Sequence, residues 1–215
     1  MATESLKNRL ETFSDGVFAI AITLLVLEIK IPPIDSVHTS SQFWHEILHE
    51  WPSWFGFALS FAIILVSWVG HRDILNLVSK SSAAFTYANG FLLFTVAVFP
   101  FTTHLMAEYM LTDFAQQAIT IYCFSILVHS LSWFAVHRTM LHPIPLTKDD
   151  TCRTLVEKHL VKNNYYALSF YFALSILSFW FPFVSMVLMT ASWALWIVAI
   201  IKMNPVKEHL DSQKK

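Results

Sequence analysis

Long apolar runs alternating with short polar stretches dominate this chain. A helix crossing about 30 Å of hydrocarbon needs roughly 20 mostly apolar residues. Four such runs fall at 13–31, 52–71, 84–107 and 115–137, and a longer one extends from Tyr165 to Ile201. As a single helix that last run would measure about 55 Å, nearly two bilayers. Phe181-Pro182-Phe183 divides it, because proline removes a backbone donor and ends or kinks a helix at the residue before it. The pattern predicts an all-α polytopic membrane protein with six spans, the last two being 164–182 and 184–202 in a tight helical hairpin.

The basic residues test this topology. Every Lys and Arg except Lys30 falls before the first predicted span, between the second and third, between the fourth and fifth, or after the sixth. The opposite loops carry Asp35, Glu46, Glu50, Glu108 and Asp113. Excess Lys and Arg mark the cytoplasmic side, so both termini are expected there, in the cell membrane. Trp44, Trp51 and Trp54 cluster at the outer end of the second span, as an interfacial aromatic belt does. Pro52 suits the first turn of a helix, and Pro100 predicts a kink inside the third span. Segment 138–163 reads as a cytoplasmic linker, with Asp149 or Thr151 capping a short helix over Cys152–Lys162. It is too short for a second domain, so 1–215 is expected to be one.

Composition narrows the class further. Of the 215 residues, 55% are hydrophobic and only 13% charged, against about one quarter charged in soluble proteins. Two cysteines, Cys123 in an apolar run and Cys152 in a polar one, make no disulfide framework. The N-terminus lacks a basic region, short apolar segment and small-residue cleavage site in succession, so no signal peptide is expected to be removed. A glycine-rich phosphate loop is missing as well. The chain is expected to be no enzyme, with no nucleic-acid partner. His104, His129 and His137 lie near or within predicted spans. Facing histidines can hold haem or a metal, but these lack Glu or Cys companions at ligand spacing.

The first span carries the most distinctive polar pattern. Ile20, Thr23 and Leu27 fall on one helical face, which Phe13 and Gly16 continue toward the cytoplasm. Ordinary packing accounts for such a stripe, and the threonine hydroxyl can bond its own i−4 carbonyl. Ser14 and Asp15 sit where they could cap the start of this helix, and Arg9 could anchor it at the interface. Charges at membrane depth also pair and mark pathways. Trp68, His71, Arg72 and Asn76 lie at the same depth on the second span. Glu28 and Lys30, at the outer mouth, are expected to pair with each other.

Arg9-x-x-x-Phe13-Ser14-Asp15 followed by a short apolar helix resembles the signature of the transmembrane protein 175 family of potassium channels. The six-span layout is similar over the whole chain, with the single repeat of bacterial members rather than the two of animal ones. The resemblance implies a potassium-permeable cation channel conducting K⁺ passively, a homotetramer whose first helices line the pore. It places the constriction five residues after the motif aspartate, at Ile20, with further pore layers at Thr23 and Leu27. It also implies a structural network around Arg9, Phe13, Ser14 and Asp15, for which His71 is the expected partner of Asp15, with Asn76 and Trp68 nearby. Thr-Val-Gly-Tyr-Gly is absent and the chain has only four glycines, so a backbone-carbonyl filter is not expected. A ring of Ile20 would be a hydrophobic gate acting by dewetting, with Thr23 hydroxyls replacing part of the water around K⁺. Membrane lipids and monovalent cations are the expected partners, with no cofactor and no metal beyond K⁺ in the pore. The alternatives are a proton-coupled or other secondary transporter, or a proton leak channel. Repeats and broken helices typical of transporters are missing apart from Pro100.

Overall fold

The computed structural model describes residues 2–202, and among these the elements are all helical. Lys207, Lys214 and Lys215, part of the charge asymmetry, lie outside the described residues. Helix α1 covers Ala2–Leu24 and tightens into a 3-10 turn at Leu25–Glu28. A short α2, Ser40–His49, precedes three helices of 27 residues each: α3 (Trp51–Leu77), α4 (Ala83–Tyr109) and α5 (Ala115–Leu141). At 1.5 Å per residue each measures about 40 Å, enough for a bilayer with its headgroups. The chain continues through α6 (Asp150–Leu155), a π-helical turn (Val156–Val161), α7 (Lys162–Leu177) and α8 (Pro182–Lys202).

Among the described residues, four segments are long and apolar enough to cross a membrane: residues 7–28, α3, α4 and α5. Pro182–Val198 of α8 is a shorter apolar helix. The protein is an integral membrane protein with an all-helical fold. The two long apolar helices α4 and α5 make its most extensive contact, and α1, α3, α7 and α8 surround them.

Local chemistry sets most boundaries. Thr39 and Gln42 form a reciprocal capping box at the start of α2, satisfying two orphan backbone donors at once. Pro52 stands in the first turn of α3, where its missing N–H is not needed. Ser82 Oγ accepts from Phe85 N at 3.2 Å to cap α4, and Asp149 Oδ1 accepts from Cys152 N at 2.7 Å to cap α6.

Three features differ from the sequence-based expectation. First, α1 begins by Ala2 rather than near residue 13, so Ser14 and Asp15 are interior helix residues and cap nothing. Ser14 Oγ instead donates to Leu10 O at 2.8 Å. Second, the break in the last apolar run comes earlier, at residues 178–181, and Pro182 opens α8 rather than closing α7. Third, segment 138–163 is packed structure. Leu146, Cys152 and Val156 bury into a core with Leu75, Leu77, Phe85 and Met140, and the backbone of Ser79 and Lys148 bonds to Leu146 and Leu77, both at 2.9 Å. The helix expected to stop at Lys162 passes through the π turn directly into α7. α4 remains helical through the buried Pro100.

Candidate functional site

The functional candidate grows from the two faces of α1. Ser14, Phe18, Ala21 and Leu25 recur at helical spacing and are buried against α3 and α4. Phe13, Gly16, Ile20, Thr23 and Leu27 occupy the opposite face and are exposed. Phe13, Ile20 and Leu27 remain 63%, 62% and 73% exposed within the protomer. Contiguous apolar surface of this kind belongs to an interface, to lipid or to a pore. Within it, Thr23 Oγ1 donates back to the carbonyls of Ala19 and Ile20, both at 2.9 Å. Its proton is therefore turned inward, leaving its oxygen lone pairs toward the open face.

A polar network holds the inner side of α1. Trp68 Nε1 donates to Asp15 Oδ1 at 2.9 Å. Asn89, fully buried on α4, donates from Nδ2 to Ser14 Oγ at 3.0 Å and accepts at Oδ1 from His71 Nε2 at 2.7 Å. Because the amide oxygen can only accept, His71 carries its proton on Nε2. The His71 ring also packs against Phe18, with centroids 5.5 Å apart, and the Arg72 guanidinium lies 5.8 Å from the Trp68 ring centroid. Trp68 thus meets Asp15, while His71 reaches α1 through Asn89 and Ser14 rather than through Asp15. Asn76 is half-buried and outside these bonds, and Arg9 and Phe13 are exposed. Asn89 was the residue that sequence reasoning missed; its signal was a lone amide inside an apolar helix.

Past the C-terminal end of α1, Glu28 Oε2 meets His104 Nδ1 at 2.9 Å, and Lys30 pairs with Glu108. Glu28 and Lys30 therefore do not pair with each other as expected. The 3-10 turn and the extended backbone after it carry both side chains to α4.

The remaining membrane histidines occupy separate places. His129 Nε2 accepts from Trp133 Nε1 at 3.2 Å and from Ser67 Oγ at 2.8 Å, and its Nδ1–H donates to Thr95 Oγ1 at 2.8 Å. An indole N–H can only donate, so this imidazole is neutral. His137 Nδ1 accepts from Asn164 Nδ2 at 3.0 Å. Among the described residues no three His, Cys, Asp or Glu side chains are arranged to hold a metal.

The fold defines a polytopic α-helical membrane protein in which one face of α1 is left bare within the protomer. Residues 9–100 match the family of the endosomal/lysosomal potassium channel TMEM175. The chain is 50% identical over 119 residues to a potassium channel of Chamaesiphon minutus, covering 55% of this chain and 58% of that protein. It is 37% identical over 136 residues to a potassium channel of Streptomyces collinus, covering 61% of this chain and 65% of that one. These matches span less than two thirds of each curated relative's length. The crystal structure of a lysosomal potassium-selective channel TMEM175 homolog from Chamaesiphon minutus is similar at a TM-score of 0.81 and 35% identity, over 91% of this chain and 98% of that chain. The chain belongs to the TMEM175 family.

Proposed function

We propose that this protein is the subunit of a potassium-permeable cation channel in which α1 helices from four copies surround a central pore. The observation that carries this reading is the stripe Phe13, Gly16, Ile20, Thr23 and Leu27, left open by the protomer's own packing. Four Ile20 side chains would close a hydrophobic constriction that gates by dewetting. Thr23, one turn outward, would present hydroxyl oxygens in place of water. K⁺ surrenders hydration water more readily than Na⁺, so a partly dehydrating constriction favours it. Arg9, Ser14 and Asp15 act in this reading as anchors of the helix rather than as ion ligands. Family membership supports the substrate, since the similar proteins of Chamaesiphon minutus and Streptomyces collinus are named potassium channels. Helix α7 and the apolar α8 supply the fifth and sixth spans, with both termini cytoplasmic in a cell membrane.

Reconstitution in liposomes under a K⁺ gradient tests the proposal, with valinomycin marking full release. Passive K⁺ flux without any need for a proton gradient is expected, and a strict requirement for one would identify a carrier instead. In bilayer recordings Ile20→Asn is expected to raise conductance and Thr23→Ala to lower the K⁺/Na⁺ permeability ratio. Unchanged behaviour in both variants would remove α1 from the pore.

A further inference from the structure

Helix α2 contains His45-Glu46-Ile47-Leu48-His49, a His-Glu-x-x-His pattern on one helix. Histidines four apart lie one turn apart on a single face, where one metal ion can reach both. On a helical wheel His45, Glu46 and His49 gather on one side and Phe43, Trp44, Ile47 and Leu48 on the other. The backbone that sets this spacing is secured at both ends. The Thr39–Gln42 capping box starts the helix, and Glu50 N bonds to Glu46 O at 3.2 Å where α2 runs into α3. Both imidazoles are exposed, nearly parallel at 23°, with centroids 6.2 Å apart. His45 Nδ1 lies 3.7 Å from Glu46 Oε1. Between Ile31 and Trp54 the charged side chains are Asp35, Glu46 and Glu50, and neither Lys nor Arg occurs. The local field therefore attracts cations.

We propose that His45 and His49 chelate a divalent transition metal of the zinc class on the polar face of α2, with Glu46 beside the ion and water completing its coordination. Neutral imidazole suits zinc, at Zn–N distances of about 2.0–2.1 Å. The site binds metal without the chemistry of a peptidase. Catalytic zinc takes three protein ligands, typically in a shaped cleft, whereas α2 buries none of its residues and no described group of three ligands includes this pair. Cys123 and Cys152 are buried, and burial pushes the Cys152 thiol pKa up, so thiolate does not compete.

Isothermal titration of Zn²⁺ into the purified, untagged full chain in detergent tests the site. Saturable binding of about one ion per protomer is expected at neutral pH. His45→Ala and His49→Ala should each abolish saturable binding, while His104→Ala, at the separate Glu28 contact, should retain it. Both α2 side chains are exposed, so the variants should keep the parent's helicity and elution volume. An absence of binding in the parent protein, or His49→Ala binding Zn²⁺ as the parent does, would overturn the proposal. K⁺ flux in zinc-free buffer should be the same for His49→Ala and the parent, which separates this site from the proposed channel activity.

Discussion

Asn89 shows how one residue decides the seating of the candidate pore helix. Its amide uses a donor toward Ser14 and its acceptor toward His71, so α1, α3 and α4 meet at a single buried side chain. Removing it leaves two buried polar partners without their bond. Side-chain hydrogen bonds inside membrane proteins are worth about 0.6–2 kcal/mol each. Asn89→Ala is therefore expected to destabilise by roughly 1–3 kcal/mol, a drop of several degrees in the melting temperature of detergent-solubilised protein. Asn76→Ala, outside the network, should leave that temperature almost unchanged. Equal losses in the two variants would refute the assignment. Asp15 and Trp68 form a second tie, in which a carboxylate accepts from a donor-only indole.

At the scale of elements, the approach of α3 to α4 depends on Gly56. A Cβ placed there would lie 3.0 Å from Thr103 Cγ2 and 3.7 Å from Thr103 O. Thr103 cannot yield freely, because its hydroxyl bonds Phe99 O at 2.7 Å and Ser60 Oγ at 2.5 Å, and Ser60 Oγ in turn meets Tyr122 OH at 2.9 Å. Small residues permit this close helix packing where lipid supplies no hydrophobic drive between helices. Gly56→Ala should lower the melting temperature modestly, and Gly56→Leu should reduce the yield of monodisperse protein severely. A Gly56→Leu variant as stable as the parent would show that the two helices separate easily. The same logic explains the histidines: His129 is held by Ser67, Thr95 and Trp133 from α3, α4 and α5. It satisfies buried hydrogen bonds inside the bundle and has no place on the exposed face of α1.

For the whole molecule, the exposed stripe of α1 bears on assembly. Phe13, Ile20 and Leu27 are apolar and uncovered in the protomer, and the proposed tetramer would enclose them. Arg9 and Asp15 are exposed beside that stripe. Asp15→Asn weakens the bond to Trp68 and removes a charge from this region. It is expected to lower the tetrameric fraction, measured by light scattering after gel filtration, before it alters ion selectivity. Normal assembly with altered selectivity would instead make Asp15 part of the ion path.

Much of this architecture was legible in the chain itself. Apolar run length predicted the long helices, because hydrocarbon leaves backbone polar groups no partner outside the helix. Proline and capping residues located several ends, since those effects operate within one turn. The spacing of Phe13, Gly16, Ile20, Thr23 and Leu27 described one face, and the motif Arg9-x-x-x-Phe13-Ser14-Asp15 pointed to the family. Tertiary structure alone decided which face of α1 is covered, that Asn89 joins Ser14 to His71, and that Glu28 and Lys30 turn to α4. It also decided that segment 138–163 packs into a core as it connects α5 to α7. Those outcomes depend on side chains as far apart along the sequence as Lys30 and Glu108, and hydrophobic periodicity carries the orientation of a helix but not the identity of its neighbour.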